Sequence, residues 1–442
     1  MKSNQPGKKI GLWMSTSLVI GNMIGAGVFL MPAALAAYGG ISILGWLFSA
    51  IGALLLAKVF SKLSTLVRNK DGGPYVYTKE GIGDFAGFLV AWGYWISIWV
   101  ANAAIAIAFV SALSVFFPVL ETNAIYAVLL GLGAIWFLTW VNSRGVRESG
   151  KMQVATTLLK LIPLLLVIIG GLFYFNPDNF IPFNPSAETN MGAIAITATM
   201  TLYAFLGVES ATVPAGNVEN PEKTIPKATM LGTLVTTLIY IFSTVVVMGM
   251  IPSGILSESP APFADAMAII SGEWGRNLVA AGAAIAAFGA LNGWILIQGQ
   301  IAKATSKDDL FPRVFRRENN KGVPALGMVI GSILTSIVML MNYTNGLVEQ
   351  FKFIIVLTTL CCLIPYLFTT AAYVLILTER KLPNLKWLPE IVLAGLAFIF
   401  SLWAIYGAGE RAVFWGFLLL LAGIPFYVWM KFRNRTKKLE QQ

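Results

Sequence analysis

Two ionisable side chains lie in stretches that are otherwise apolar: Lys160, within ATTLLKLIPLLL, and Glu209, within FLGVESAT. A charge at the centre of a bilayer costs roughly 2.5–3.5 kcal/mol on insertion scales, so such a residue either serves a purpose or is satisfied by its neighbours. A carboxyl so placed can bind and release a proton, sense a cation, or hold two elements together through hydrogen bonds. The plainer reading of Glu209 is a side chain satisfied by nearby backbone. Lys160 falls nine residues past Lys151, roughly 13 Å along a helix at 1.5 Å per residue. It either snorkels to the nearer surface or turns inward, where an ammonium can replace a bound cation or titrate.

Each ionisable residue has to be positioned by the backbone around it, and Glu209 belongs to one of two glycine-rich interruptions. The first is GNMIGAGVF, Gly21 to Phe29; the second is FLGVESATVPAG, Phe205 to Gly216. A glycine costs about 1 kcal/mol relative to alanine in a helix interior. The clusters therefore mark either close helix packing or helices meant to break. Gly25 and Gly207 are 182 residues apart, and each cluster opens a block of five apolar runs. Broken backbone at mid-membrane depth is tolerated only where it is buried in protein or lines a polar cavity, so both clusters are expected to line one cavity. Free N–H groups at one helix end and free C=O groups at the other carry opposite partial charges. A zwitterion fits such a pair, with its carboxylate on the N–H groups near Ala26, Gly27 and Val28. Its ammonium would lie on carbonyls near Ile24 and around Tyr203, Ala204 and Phe205.

The remaining composition bounds the class. A 442-residue chain that is 57% hydrophobic and 12% charged cannot hide its apolar surface in a water-soluble core. Runs long enough to cross about 30 Å of hydrocarbon are read at 12–37, 41–66, 85–116, 124–142, 152–175, 192–216, 226–251, 277–303, 325–342, 351–377, 388–408 and 411–431. This predicts an all-α membrane protein of twelve transmembrane helices forming a single domain, 1–442. Residues 12–175 and 192–377 would be two five-helix repeats, which an odd helix count inserts in opposite orientations, and 388–431 two further helices. Of the 31 Lys and Arg residues, three (Arg276, Lys352, Arg411) fall on one side of this topology, Lys160 lies within a span, and the other 27 fall on the opposite side. That is the positive-inside bias, and it puts both termini in the cytoplasm. The net charge of +10 thus reports topology, not a nucleic-acid partner. The chain has no His, which excludes His-based proton relays and His metal sites. The adjacent Cys361 and Cys362 cannot form a disulfide framework. No cofactor or metal is called for, and an embedded enzyme would need more than one intramembrane carboxyl.

The motifs GNMIGAGVFLMPAALA, GGPYVYTKEGIG (72–83), GVESATVPAGNVENPEKTIPKA (207–228) and SKDDLFPRVF (306–315) together resemble the amino acid/polyamine/organocation transporters. Within that family the chain is most similar to the bacterial exchangers of arginine, ornithine or lysine for their decarboxylated amines. The resemblance implies a LeuT-like 5+5 inverted repeat with discontinuous helices 1 and 6, no enzymatic activity, and a bacterial inner-membrane location. It implies a small amino acid or amine as partner, in a lipid bilayer, with a homodimer as the assembly left open. It further implies that the Gly25-Ala26-Gly27 break holds the substrate carboxylate, Ala26 standing where the arginine exchanger has Ser. Tyr203 matches an aromatic that stacks on the substrate; Ser97, Ile98, Asn102, Leu206, Trp294 and Thr358 match pocket positions. Tyr94, Glu209 and Tyr366 match an extracellular gate, and Tyr75 a cytoplasmic one. Lys160 departs from the arginine exchanger and resembles the proton-coupled or neutral amino-acid branch. The expected function is an alternating-access exchanger, of a cationic amino acid against its amine or of neutral amino acids. Proton-coupled uptake through Lys160 or Glu209 is the alternative; a membrane enzyme or a channel is a remote one.

Overall fold

The computed structural model describes residues 11–25, 27–67, 73–144, 146–212, 218–341, 346–379 and 387–439. Among them every regular element is helical. In chain order the helices are α1 Leu12–Met23, α2 Gly27–Ala36, α3 Ser42–Leu66, α4 Pro74–Gly81, α5 Asp84–Ser114 and α6 Val119–Thr122. They continue with α7 Ala124–Ser143, α8 Val146–Gly171, α9 Asn190–Leu202, α10 Pro221–Met250, α11 Ser253–Leu256 and α12 Pro262–Lys307. The last are α13 Ala325–Met341, α14 Leu347–Glu379, α15 Trp387–Gly407, α16 Gly409–Leu421 and α17 Gly423–Leu439.

Among the described residues eight helical stretches are long and apolar enough to cross a membrane, nine if the bent pair α1–α2 is one span. Residues 159–174, 190–205 and 325–341 form shorter apolar helices. The chain is an all-helical, multi-pass membrane protein. Its outer faces carry exposed Leu, Ile, Phe and Trp on helix after helix, the surface expected of a protein solvated by lipid tails.

Two elements depart from the sequence reading. GGPYVYTKEGIG forms a helix of its own, α4, with Pro74 in its first turn and glycines of positive φ before and after it, Gly73 at 61° and Gly83 at 119°. Proline pre-sets the first helical turn and glycine supplies the backbone conformations that other residues avoid. Thr78 of α4 meets Thr369 of α14 at 3.3 Å. The run α12 is two helical segments separated by the non-helical Ser271 and Gly272 (φ 66°); the second begins close to the expected 277, and the first, from Pro262, lies outside the expected span.

Most ion pairs among the described residues lie at one end of the bundle. There Lys62 meets Glu390, Lys79 meets Asp308 (3.1 Å), Lys431 meets Asp84 (2.6 Å), and Lys303 meets Glu318. SKDDLFPRVF runs along the same end. Its Phe311 and Phe315 insert against Trp95 of α5, ring centroids 5.8 and 6.1 Å away, and so brace the helix that carries Tyr94.

Candidate functional site at two broken helices

The first break is built from freed backbone. Ile24 leaves helical geometry (φ −73°, ψ 77°), and α1 and α2 meet at 40°. Helix ends leave carbonyls without partners, and here side chains from other helices take them up. Lys160 of α8 donates to Gly21 O at 3.0 Å, and the Tyr240 hydroxyl of α10 donates to Met23 O. Lys160 is fully buried, so it turns inward and does not snorkel. Ala26 lies outside the described residues.

The second break follows α9. One 3-10 turn, Tyr203–Phe205, precedes Leu206 in extended conformation and Gly207 at φ 103°, a backbone conformation open to glycine and strained for other residues. The two breaks touch. A Cβ added to Gly207 would lie 3.3 Å from Asn22, and one added to Gly27 would lie 2.6 Å from the Tyr203 ring. The glycines therefore permit close approach of one broken helix to the other.

Between them is a cavity of about 30 Å³, room for one or two water molecules. Of the residues expected at the site, Gly25, Gly27, Ser97, Ile98, Tyr94, Tyr203, Ala204, Leu206, Glu209 and Trp294 all line it. Others do not reach its wall. Ile24 is buried away from it. Phe205 packs on Trp46 (5.9 Å) and Tyr240 (5.7 Å). Asn102 turns into the scaffold, where its amide donates to Gln298 Oε1 at 2.9 Å, and Gln298 in turn donates to Met328 O and Ser332 Oγ. One residue along a helix is a rotation of about 100°, which is why Ala101 faces the cavity and its neighbour does not. Thr358 lies one turn from the wall. Its neighbour on that face, Cys362, lines the cavity instead, as do Asn22 and Met23 of the first glycine cluster and Ala101 and Ile105 of α5; Cys362, Ala101 and Ile105 were not among the expected site residues. The spacing of 98, 101 and 105 puts them on one face of a helix, a signal that was available.

Glu209 is fully buried. Tyr94 donates to its Oε1 at 2.5 Å and Tyr366 to its Oε2 at 2.9 Å, so the three form one hydrogen-bonded barrier joining α5, the second break and α14. Its depth along α5 fixes its place relative to the cavity. Tyr94 is ten residues into α5, about 15 Å from Asp84, the residue that Lys431 of the last helix holds. The cavity residues of α5 follow Tyr94, farther from that end. The trio therefore lies between the cavity and the end of α5 at which Asp84 meets Lys431, the end near which the buried Tyr75 of α4 also lies. Toward the other side, Phe351 packs edge-on to Tyr203 at 6.0 Å and Phe29 to Phe263 at 5.4 Å. Beyond these rings a mouth lined by Glu121, Glu258, Glu349 and Lys352 opens.

A multi-pass helical bundle enclosing a small cavity between two touching broken helices has the architecture of a membrane carrier. The amino acid permease family profile matches residues 10–426. Over 95% of its length the chain is 34% identical to the cadaverine/lysine antiporter of Escherichia coli, covering 94% of that protein. It is 32% identical to a putrescine transporter of Haemophilus influenzae, over 97% of this chain and 99% of that one. It is also 32% identical to the arginine/ornithine antiporter of Pseudomonas aeruginosa, over 95% and 90% respectively. The chain belongs to the amino acid permease family, and it is a transporter, not an enzyme.

Proposed function

We propose that the protein exchanges amino acids, or an amino acid for an amine, across a bacterial inner membrane by alternating access. The observation that carries this reading is the contact of Gly27 with the Tyr203 ring above a closed cavity. Bare N–H groups at the start of α2 receive the substrate carboxylate, carbonyls at the end of α9 and around Ile24 receive its ammonium, and Tyr203 and Trp294 close over it. Exchange requires that only the loaded carrier reorients readily, so binding must stabilise the occluded form. The nine long or bent spans and the three shorter apolar helices sum to twelve, which supports an inverted pair, 12–175 and 192–377, plus two further helices at 388–431. With the termini in the cytoplasm, Tyr94, Glu209 and Tyr366 are the cytoplasmic barrier, and Tyr75 lies below it. A homodimer remains the assembly to test.

Counterflow in proteoliposomes tests exchange directly. Vesicles preloaded with substrate are expected to take up labelled substrate much faster than empty ones. Equal uptake by empty vesicles under an imposed pH gradient would instead establish proton-coupled uptake. One observation favours that second reading: the Lys160 ammonium on Gly21 O places a titratable group on the first break itself.

A further inference from the structure

We infer that Gln298 is a positioning residue that fixes the Asn102 side-chain amide with its nitrogen toward the scaffold and its carbonyl oxygen turned away from it, as an acceptor for the ligand. The inference rests on the proposed carrier function and deepens it: a ligand side chain ending in a hydrogen-bond donor is favoured over one ending in a methyl group. What carries it is a chain of hydrogen bonds that can run in one direction only.

A backbone carbonyl can only accept. Thr139 of α7 donates to Ile135 O at 2.7 Å, which uses its one hydroxyl proton, so in its 2.7 Å contact with Ser332 of α13 the serine is the donor. Ser332 Oγ in turn accepts from Gln298 Nε2 at 3.2 Å, and the same nitrogen donates to Met328 O at 2.8 Å. Partners of this kind decide which way a side-chain amide points. Gln298 Oε1 is therefore left to accept, and it does so from Asn102 Nδ2 at 2.9 Å. The direction set at Ile135 and Met328 thus reaches Asn102 across four helices, all four side chains being buried. Gly331 lets the Gln298 amide lie against α13, since a Cβ there would fall 2.5 Å from Gln298 Cδ. Thr335 ties the same helix to Trp99 O of α5 at 2.8 Å.

Among the described residues Asn102 Oδ1 is buried and has no hydrogen-bond partner, a state that is costly for an acceptor. Its helix neighbours Ile98, Ala101 and Ile105 line the cavity. They stand four and one positions before it and three after, so Asn102 borders that wall. A cavity of about 30 Å³ is smaller than any amino acid, and a ligand has to part the side chains that line it. A donor brought to Asn102 then meets an acceptor already oriented. An amide free to turn would offer N–H or C=O to suit each ligand and would discriminate less.

The test is calorimetric binding of ornithine and norleucine to the full-length protein in lipid nanodiscs. Their side chains have the same length and end in an ammonium and a methyl group. Ornithine is expected to bind about tenfold more tightly, the scale of a hydrogen bond made by a charged group; norleucine binding as tightly overturns the inference. Gln298→Met keeps the length of the side chain and removes its amide, so that Asn102 is no longer held, while Glu209 and its attraction for a cation stay in place. The ornithine preference is expected to fall about fivefold while norleucine affinity stays within about twofold of wild type. An unchanged preference, or an equal loss for both ligands, would leave Gln298 a packing residue and overturn the inference. Should that variant fail to fold, Asn102→Leu removes the acceptor itself, and a preference retained there overturns it equally. Because binding is read without transport, ligands that bind as expected but show no counterflow would sink exchange and leave the role of Gln298 standing.

Discussion

Tyr203 lies so close over Gly27 that any side chain at position 27 must displace its ring, a Cβ there falling 2.6 Å from Cε1. Gly27→Val is therefore expected to abolish counterflow in protein that still purifies as a folded monomer or oligomer; wild-type uptake would remove the carboxylate assignment. Replacing Tyr203 by Ala removes an aromatic face that closes on the ligand. A contact of this kind contributes about 0.5–2 kcal/mol, so calorimetry should register a loss of affinity of roughly twofold to thirtyfold. Lys160 presents the test of proton coupling. Lys160→Ala deletes the donor to Gly21 O, and the pH profile of transport should change shape; an unshifted profile would leave Lys160 a structural partner of the broken helix. At this scale the sequence was a good guide to which residue types mattered and a poor one to where they point. Asn102 and Ala101 are adjacent, yet a rotation of about 100° sends one into the scaffold and the other into the cavity.

The interrupted helices were legible because their cause is local. Glycines clustered within an apolar run weaken the helix wherever the run ends up, and both clusters do break, at Ile24 and at Leu206–Gly207. Gly207 holds φ 103°, and its place beside Asn22 leaves little room for a Cβ. Gly207→Ala is expected to cost about 1–2 kcal/mol through backbone strain alone, read as a lowered melting temperature in detergent. A melting temperature equal to wild type would mean that the break relaxes freely. The helix α4 and the short helical segment before Ser271 were not legible, since eight polar-leaning residues such as PYVYTKEG carry no membrane-length signal. Only their docking against α14 and α5 explains them. The pairing of Lys303 with Glu318 adds a pH dependence to the loop after α12. Its ammonium holds the exposed Glu318 carboxyl below the usual carboxylate range, chiefly by a hydrogen bond. The pairing is thus present above the ordinary pKa of a Glu and lost as pH falls through the lowered one. Hydrogen exchange of the 311–323 amides, corrected for intrinsic rates, should rise only in acid for the wild type but already at neutral pH for Glu318→Gln.

For the whole molecule, we propose that the end at which these ion pairs gather faces the cytoplasm, since loops rich in Lys and Arg are retained there. A fluorescent protein fused to the C-terminus should fold and fluoresce, whereas a periplasmic phosphatase fused there should be inactive; the reverse pattern would invert the protein and make the Tyr94–Glu209–Tyr366 barrier an external one. Length, hydropathy and glycine placement were enough by themselves to set the class of the protein and the two points at which its helices break, because insertion into lipid and helix weakening depend on short windows of chain. The sealing of the Glu209 carboxylate by two tyrosines and the faces that look into the cavity were decided by tertiary structure alone. Each depends on residues more than a hundred positions apart in sequence, and only helix packing sets the rotation and depth at which such residues meet.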